Sequence, residues 1–262
     1  MFNNIPPVVK NLIIINILIL IAMSINEVFM RENFALFYPA SPFFKPYQYI
    51  THMFMHGGIP HLLFNMYALF LFGSVLERVW GGKKFFIYYM ITGLGAAALY
   101  TLVNYFIFSN IDATISAFVN TPSAELFKQF ADAYPNYFNQ NVHNFIHEWS
   151  ITPNDPGYAA TALENMVRVY QSNINIPVLG ASGAVFGLLL GYGMLFPNSV
   201  LQLIFPPIAI KAKWLVIIYG GLELVLGLSF PGSKIAHFAH LGGMLFGFIL
   251  IKYWNKKGRM YF

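Results

Sequence analysis

The sequence predicts an all-α protein that crosses a membrane several times, and three observations predict it. The 262 residues are 57% hydrophobic and 10% charged, where a soluble domain carries about 25% charged residues. Several apolar stretches reach the roughly 20 residues that a helix needs to span a bilayer. These stretches lack the strict alternation of a membrane barrel, so their backbone polar groups must be satisfied within helices.

Six spans follow, at residues 11–29, 61–79, 85–107, 182–197, 212–230 and 236–254. Lys10 precedes the first, and no small-residue cleavage site follows it, so it reads as a retained span rather than a signal peptide. Arg78, Lys83 and Lys84 follow the second span, Lys211 and Lys213 the fourth, and Lys252, Lys256, Lys257 and Arg259 the sixth. These ten basic residues share one side with a single acid, Glu77; the other side holds Arg31, Lys45, Lys128, Arg168 and Lys234 against eight acids. The positive-inside rule then places both termini in the cytoplasm. With charge gathered at span ends, the net charge of +5 is not the footprint of a nucleic-acid partner. The chain has no cysteine, which excludes disulfides, thiolate catalysis and iron–sulfur clusters.

The connection at 108–178 is too long for an ordinary loop and carries six acids against two bases. It predicts helical structure of its own. One helix starts at Thr121-Pro122, with threonine as cap, and buries Leu126, Phe127, Phe130 and Tyr134. Another starts at Asp155-Pro156 and buries Leu163, Met166, Val167 and Tyr170, and a third lies around Asn141–Trp149. Decoration without chemistry is the plainer reading of this insertion; a lid or docking module is the sharper one. The division expected is a helical core over 1–107 and 179–262 with an extracytoplasmic insertion over 108–178.

Three spans carry residues that could act together. Ser182 opens the fourth span within Gly180-Ala181-Ser182-Gly183, where unpaired helix N–H groups suit a developing oxyanion. Alone this reads as packing, because Gly183, Gly187 and Gly191 form a small-residue ridge. His240 lies about five residues into the last span, and an ionisable residue at that depth is a functional candidate. Gly243 and Gly247 repeat the small-residue spacing and would let the last span approach the fourth. His61 and Asn65, four apart on one face of the second span, could both donate to an oxyanion, or bond between helices. The topology places His61, Ser182 and His240 in the same, outer half of the bilayer. Together they point to serine hydrolase chemistry within a membrane.

These motifs resemble those of the rhomboid intramembrane serine proteases: His61-Leu-Leu-Phe-Asn65, Gly180-Ala-Ser182-Gly183, and Ala239-His240-Leu-Gly-Gly243 with Gly247 following. The resemblance covers the six-span core and not the long insertion. It implies a six-helix rhomboid-like bundle, with Ser182 as nucleophile and His240 as general base. It also implies His61, Asn65 and the Ser182 N–H as oxyanion donors, transmembrane proteins as substrates, and no metal or organic cofactor. The family works as a dyad, in keeping with no carboxylate expected near these motifs. His56 matches a recurring family histidine of structural role. Where the family often has Trp-Arg after the first span, this chain has Tyr47-Gln48; where a bacterial relative has a tyrosine stacked on the base, this chain has Phe186. A bacterial plasma membrane is the expected setting.

The remaining candidates rank lower. His52 and His56 have metal-ligand spacing without a third ligand, and His143, His147 and Glu148 lack the HExxH order. His237 reads as a bystander near the water interface. Glu223, a buried acid in the fifth span, is a functional candidate by default, and the plainer reading is a structural one, hydrogen-bonded across the bundle as a carboxylate or a neutral acid. A catalytically silent, client-binding relative would lose Ser182 or His240, and both are present. A transporter would carry polar residues through the membrane's full depth or an inverted repeat, whereas the polar residues here concentrate in the outer half.

Overall fold

The computed structural model describes residues 5–203, 207–229, 236–256 and Gly258. Lys234, Lys257 and Arg259, counted above among the topology-setting charges, lie outside the described residues. Almost everything described is helical. α1 (Pro7–Ile25) and α2 (Glu27–Phe34) are followed by α3 (Gln48–Thr51), α4 (Ile59–Ala68), a π-helical turn (Leu69–Gly73) and α5 (Ser74–Trp80). The long α6 (Gly82–Asn120) leads to α7 (Ala124–Ala133), α8 (Asn141–Ile151) and α9 (Pro156–Ile174). α10 (Ser182–Leu195), α11 (Ala212–Ser229) and α12 (His237–Lys256) complete the chain, with a two-stranded antiparallel pair, β1 (Val200–Gln202) and β2 (Ala209–Lys211), between α10 and α11.

Among the described residues, four helical stretches are long and apolar enough to cross a membrane: Pro7–Ile25, Ile59–Trp80, Gly82–Asn120 and Ala212–Ser229. α10 is apolar but has only 14 residues, about 21 Å of helix, short of a hydrocarbon layer of about 30 Å. Bare apolar faces mark the lipid side: Ile14, Leu18 and Ile21 on α1 and Ile217, Val225 and Leu228 on α11 are all exposed. In water such patches would be anomalous; against acyl chains they are expected.

Several boundaries move from expectation. The first span begins at Pro7 and stops at Ile25, because Asn26 breaks the helix and its side chain accepts from Phe29 N to start α2. α6 runs on to Asn120, well past residue 107, since Phe108, Ile111 and Phe118 continue a buried stripe. Thr121 does not cap the next helix: its hydroxyl donates back to Ala117 O, and Ser123 is the cap, accepting from Leu126 N at 3.3 Å. Asp155 does cap α9, accepting from Gly157 N at 2.8 Å. Its buried residues are Ala162, Met166, Val169 and Ile174, while Val167 is exposed.

The chain divides into two compact units. One comprises Phe37–Phe43 and Val103–Ile176. Its core is Phe118, Phe127, Phe130, Trp149 and Met166, with Trp149 stacked parallel on Tyr158. The other comprises Met1–Leu36, Phe44–Leu102 and Pro177–Phe262 and contains every residue of the candidate site. Its core runs through Leu69, Leu76, Phe85, Tyr88, Tyr89 and Leu188. Glu77 secures it at one end: its buried carboxylate accepts from Val8 N at 2.9 Å and Val9 N at 2.8 Å, capping the first turn of α1.

Candidate functional site

The segment leading into Ser182 is tied by three backbone hydrogen bonds. Leu36 and Val178 exchange backbone hydrogen bonds of 2.9 and 2.8 Å. Gly180 N donates to the His52 carbonyl at 2.9 Å. Gly180 itself has φ of 131°, and a Cβ there would stand 2.9 Å from the His61 ring, so both backbone and space demand glycine. Ser182 is then the first residue of α10, where its N–H has no intrahelical acceptor.

His240 arrives from α12. Its Nε2 lies 2.8 Å from Ser182 Oγ, a hydrogen bond across 58 residues of sequence. Gly243, one turn further along α12, packs directly on the Gly183 carbonyl. The glycine ridges meet there, as the small-residue spacing predicts, but the spacing missed a third participant. Cβ atoms at Gly187 and Gly247 would stand 2.6 Å from Thr92 Cβ and 2.5 Å from Tyr88 Oη, so both faces also pack on α6. Tyr88 fixes this contact by donating to the Gly187 carbonyl at 2.7 Å. Phe186 stacks on the His240 imidazole, with centroids 4.2 Å apart and planes within 4°.

His61 accepts from Gly57 N on Nδ1 at 3.2 Å, which leaves its Nε2 as the protonated nitrogen, on the side of Gly180. Asn65 is buried, and its Nδ2 donates to the His61 carbonyl at 2.9 Å. The asparagine thus bonds to its own helix in this state. A small pocket opens beside Ser182, lined by His52, Met53, Val178, Leu179 and Ala236.

Two sequence expectations are corrected here. A carboxylate does stand near the motifs: Glu223 Oε1 is 3.0 Å from His240 Nδ1. And His237 is no bystander at the water interface, for it is buried and its Nδ1 donates to Glu223 Oε2 at 2.6 Å. Gly227, one turn beyond Glu223 on the same face of α11, packs closely there: a Cβ on it would lie 3.2 Å from His237 Cβ, a tight contact that glycine avoids.

Around the histidines at 52 and 56, among the described residues, no three His, Cys, Asp or Glu side chains gather as a metal would need. His52 instead hydrogen-bonds through Nδ1 to the Gln48 carbonyl at 2.8 Å. Gln48, at the place where the resemblance would put an arginine, holds the loop with its amide. Its Nε2 donates to the Glu32 and Asn33 carbonyls at 3.4 and 3.3 Å, and its Oε1 accepts from Lys45 N at 3.0 Å.

Comparison with known proteins places the chain in a family. The family model described as Rhomboid domain matches residues 43–108 and 156–256, well over half of the chain. The chain belongs to the rhomboid family. The Rhomboid protease AarA of Providencia stuartii is 38% identical over 66 residues, 25% of this rhomboid and 24% of the relative. The Putative rhomboid protease YdcA of Bacillus subtilis is 42% identical over 45 residues, 17% of this chain and 23% of its own. RHOMBOID-like protein 12, mitochondrial, of Arabidopsis thaliana is 25% identical over 218 residues, 83% of this chain and 49% of its own. The matches thus span from about a quarter to half of these relatives' lengths. Membership makes this rhomboid an integral membrane protein, in keeping with its apolar helices.

Proposed function

We propose that this rhomboid is an intramembrane serine endopeptidase that cleaves transmembrane segments of other membrane proteins, with Ser182 as nucleophile and His240 as general base. The observation that carries the reading is the 2.8 Å hydrogen bond from Ser182 Oγ to His240 Nε2, built from two helices held together by glycine. The shortness of α10 supports it, since a 14-residue helix that starts at Ser182 can place that hydroxyl below the membrane surface.

In this mechanism a substrate helix unwinds locally, because a carbonyl bonded within a helix is shielded from attack. His240 Nε2 takes the Ser182 proton as Oγ bonds to the peptide carbonyl carbon. The oxyanion is held by the Ser182 N–H, His61 Nε2–H and an Asn65 amide N–H. His240 then gives its proton to the departing amine as the C–N bond breaks. Water hydrolyses the acyl-enzyme by the reverse proton path, returning Ser182 to its hydroxyl form. The orientation proposed has both termini cytoplasmic and residues 108–178 outside, as the ten basic residues on one side favour.

The test is cleavage of a model single-pass substrate by purified Ser182→Ala and His240→Ala variants. Loss of cleavage in both is expected, and wild-type cleavage by either overturns the dyad. A fluorophosphonate probe that labels wild type and not Ser182→Ala separates a protease from a silent client-binding relative.

A further inference from the structure

We infer that Glu223 is a positioning residue for His240, forming with Ser182 a three-residue relay, and that His237 holds its carboxylate in place. The inference rests on the reading of Ser182 and His240 above. For Nε2 to accept the Ser182 proton, the neutral His240 ring must carry its own proton on Nδ1. That nitrogen is buried and has no hydrogen-bond partner. Glu223 Oε1 stands 3.0 Å away, at ion-pair distance but off the line of a hydrogen bond. A small rotation of the carboxylate would align it, and catalytic hydrogen bonds are often poorly aligned before substrate binds.

The acid is built into place. Its side chain is only 12% exposed, and its second oxygen is occupied by His237. A carboxylate on a membrane helix is costly unless paired, and this one is shared between two histidines of α12. When His240 takes the Ser182 proton, the imidazolium forms beside that carboxylate in a low-dielectric interior, where opposite charges attract strongly. A buried carboxylate plays this part in the triads of soluble proteases, fixing the tautomer and the ring and staying ionised itself.

The competing role is a structural pin between α11 and α12. Glutamine separates the two, because it keeps the size of glutamate and an acceptor for His237 while losing the charge. The experiment measures kcat and KM on a transmembrane substrate, the fluorophosphonate labelling rate of Ser182, and thermal stability, in the full-length chain. Glu223→Gln is expected to lower kcat and the labelling rate in parallel, by about 10²-fold, with KM and melting temperature unchanged. Wild-type kcat and labelling in that variant overturn the relay. Should Glu223→Gln melt early, Glu223→Asp and Glu223→Asn are compared, since they match in size and differ in charge. An Asp variant about tenfold faster than Asn sustains the carboxylate role, and equal rates overturn it. Ser182→Ala and His240→Ala run alongside. If either still cleaves, the dyad falls and the relay with it; if both are dead while Glu223→Gln is normal, the relay alone falls.

Discussion

Gly243 lies against the backbone of Gly183 so closely that a Cβ on it would overlap the Gly183 carbonyl oxygen and stand 2.7 Å from the carbonyl carbon. The contact is one residue from Ser182 and one helical turn from His240. The obstacle is backbone, which cannot swing aside as a side chain can. Separation of α10 from α12 is therefore fixed at the point where the hydroxyl and imidazole meet.

Gly243→Ala should force the two helices apart and stretch the 2.8 Å bond between Ser182 and His240. A displacement of about 1 Å at a reacting pair can cost about 10² in rate. The expected outcome is a folded protein with kcat/KM reduced on that order and slower fluorophosphonate labelling. Wild-type kinetics would mean that α12 can shift without moving His240.

Asn65 spends one amide N–H on the His61 carbonyl. Its second N–H is the one that could meet an oxyanion. Asn65→Ala should then lower kcat by about 10²–10³ with little change in KM, the loss typical of an oxyanion donor. An unchanged kcat with reduced melting temperature would assign Asn65 to holding α4 alone.

Much of this arrangement was legible from local spacing. Ser182 and His240 each sit beside a glycine ridge, and a ridge is a periodic signal that sequence displays directly. What stayed hidden depends on how a helix is rotated about its own axis. No spacing rule links Glu223 to His240, because the link depends on which face α11 turns toward α12. The part of α6 in this packing was hidden for the same reason: Thr92 and Tyr88 read as ordinary span residues until Gly187 and Gly247 are seen against them. The overrun of α6 past residue 107 had a different cause. Bilayer thickness sets where a span may end, but Phe108, Ile111 and Phe118 give the helix a protein core to continue into. Thr121 and Ser123 are both plausible caps, and only the position of Leu126 N decides between them.

Glu77 should be a stability determinant with no part in chemistry. Its two oxygens satisfy the N–H groups of Val8 and Val9, which a helix start leaves without partners. Hydrogen bonds to a charged group contribute about 1.5–3 kcal/mol each. Glu77→Ala should lower the melting temperature of the detergent-solubilised protein markedly while kcat of the surviving folded fraction stays near wild type. No change in melting temperature would show that water or lipid headgroups replace the carboxylate.

His52 and His56, which precede the second span, should make stability depend on pH on the acid side. Burial pushes the His52 imidazole down to about 4 from its ordinary 6.5, against a smaller opposing effect of its bonds to the backbone of Gln48 and Tyr49. Burial, helped by the nearby His61, brings His56 to about 4 as well. In both, the unfolded chain binds a proton more readily than the folded one. Stability is therefore whole above about pH 6.5 and falls as pH drops from there toward 4, where the folded form also protonates. The melting temperature should decline across that window, and His52→Gln should flatten part of the decline. His52 also offers its carbonyl to Gly180 N, so acid loosening of this loop would release the approach to Ser182. A melting temperature that stays level from pH 7 to 4.5 in the wild-type protein would mean that His52 is already solvated in the folded state.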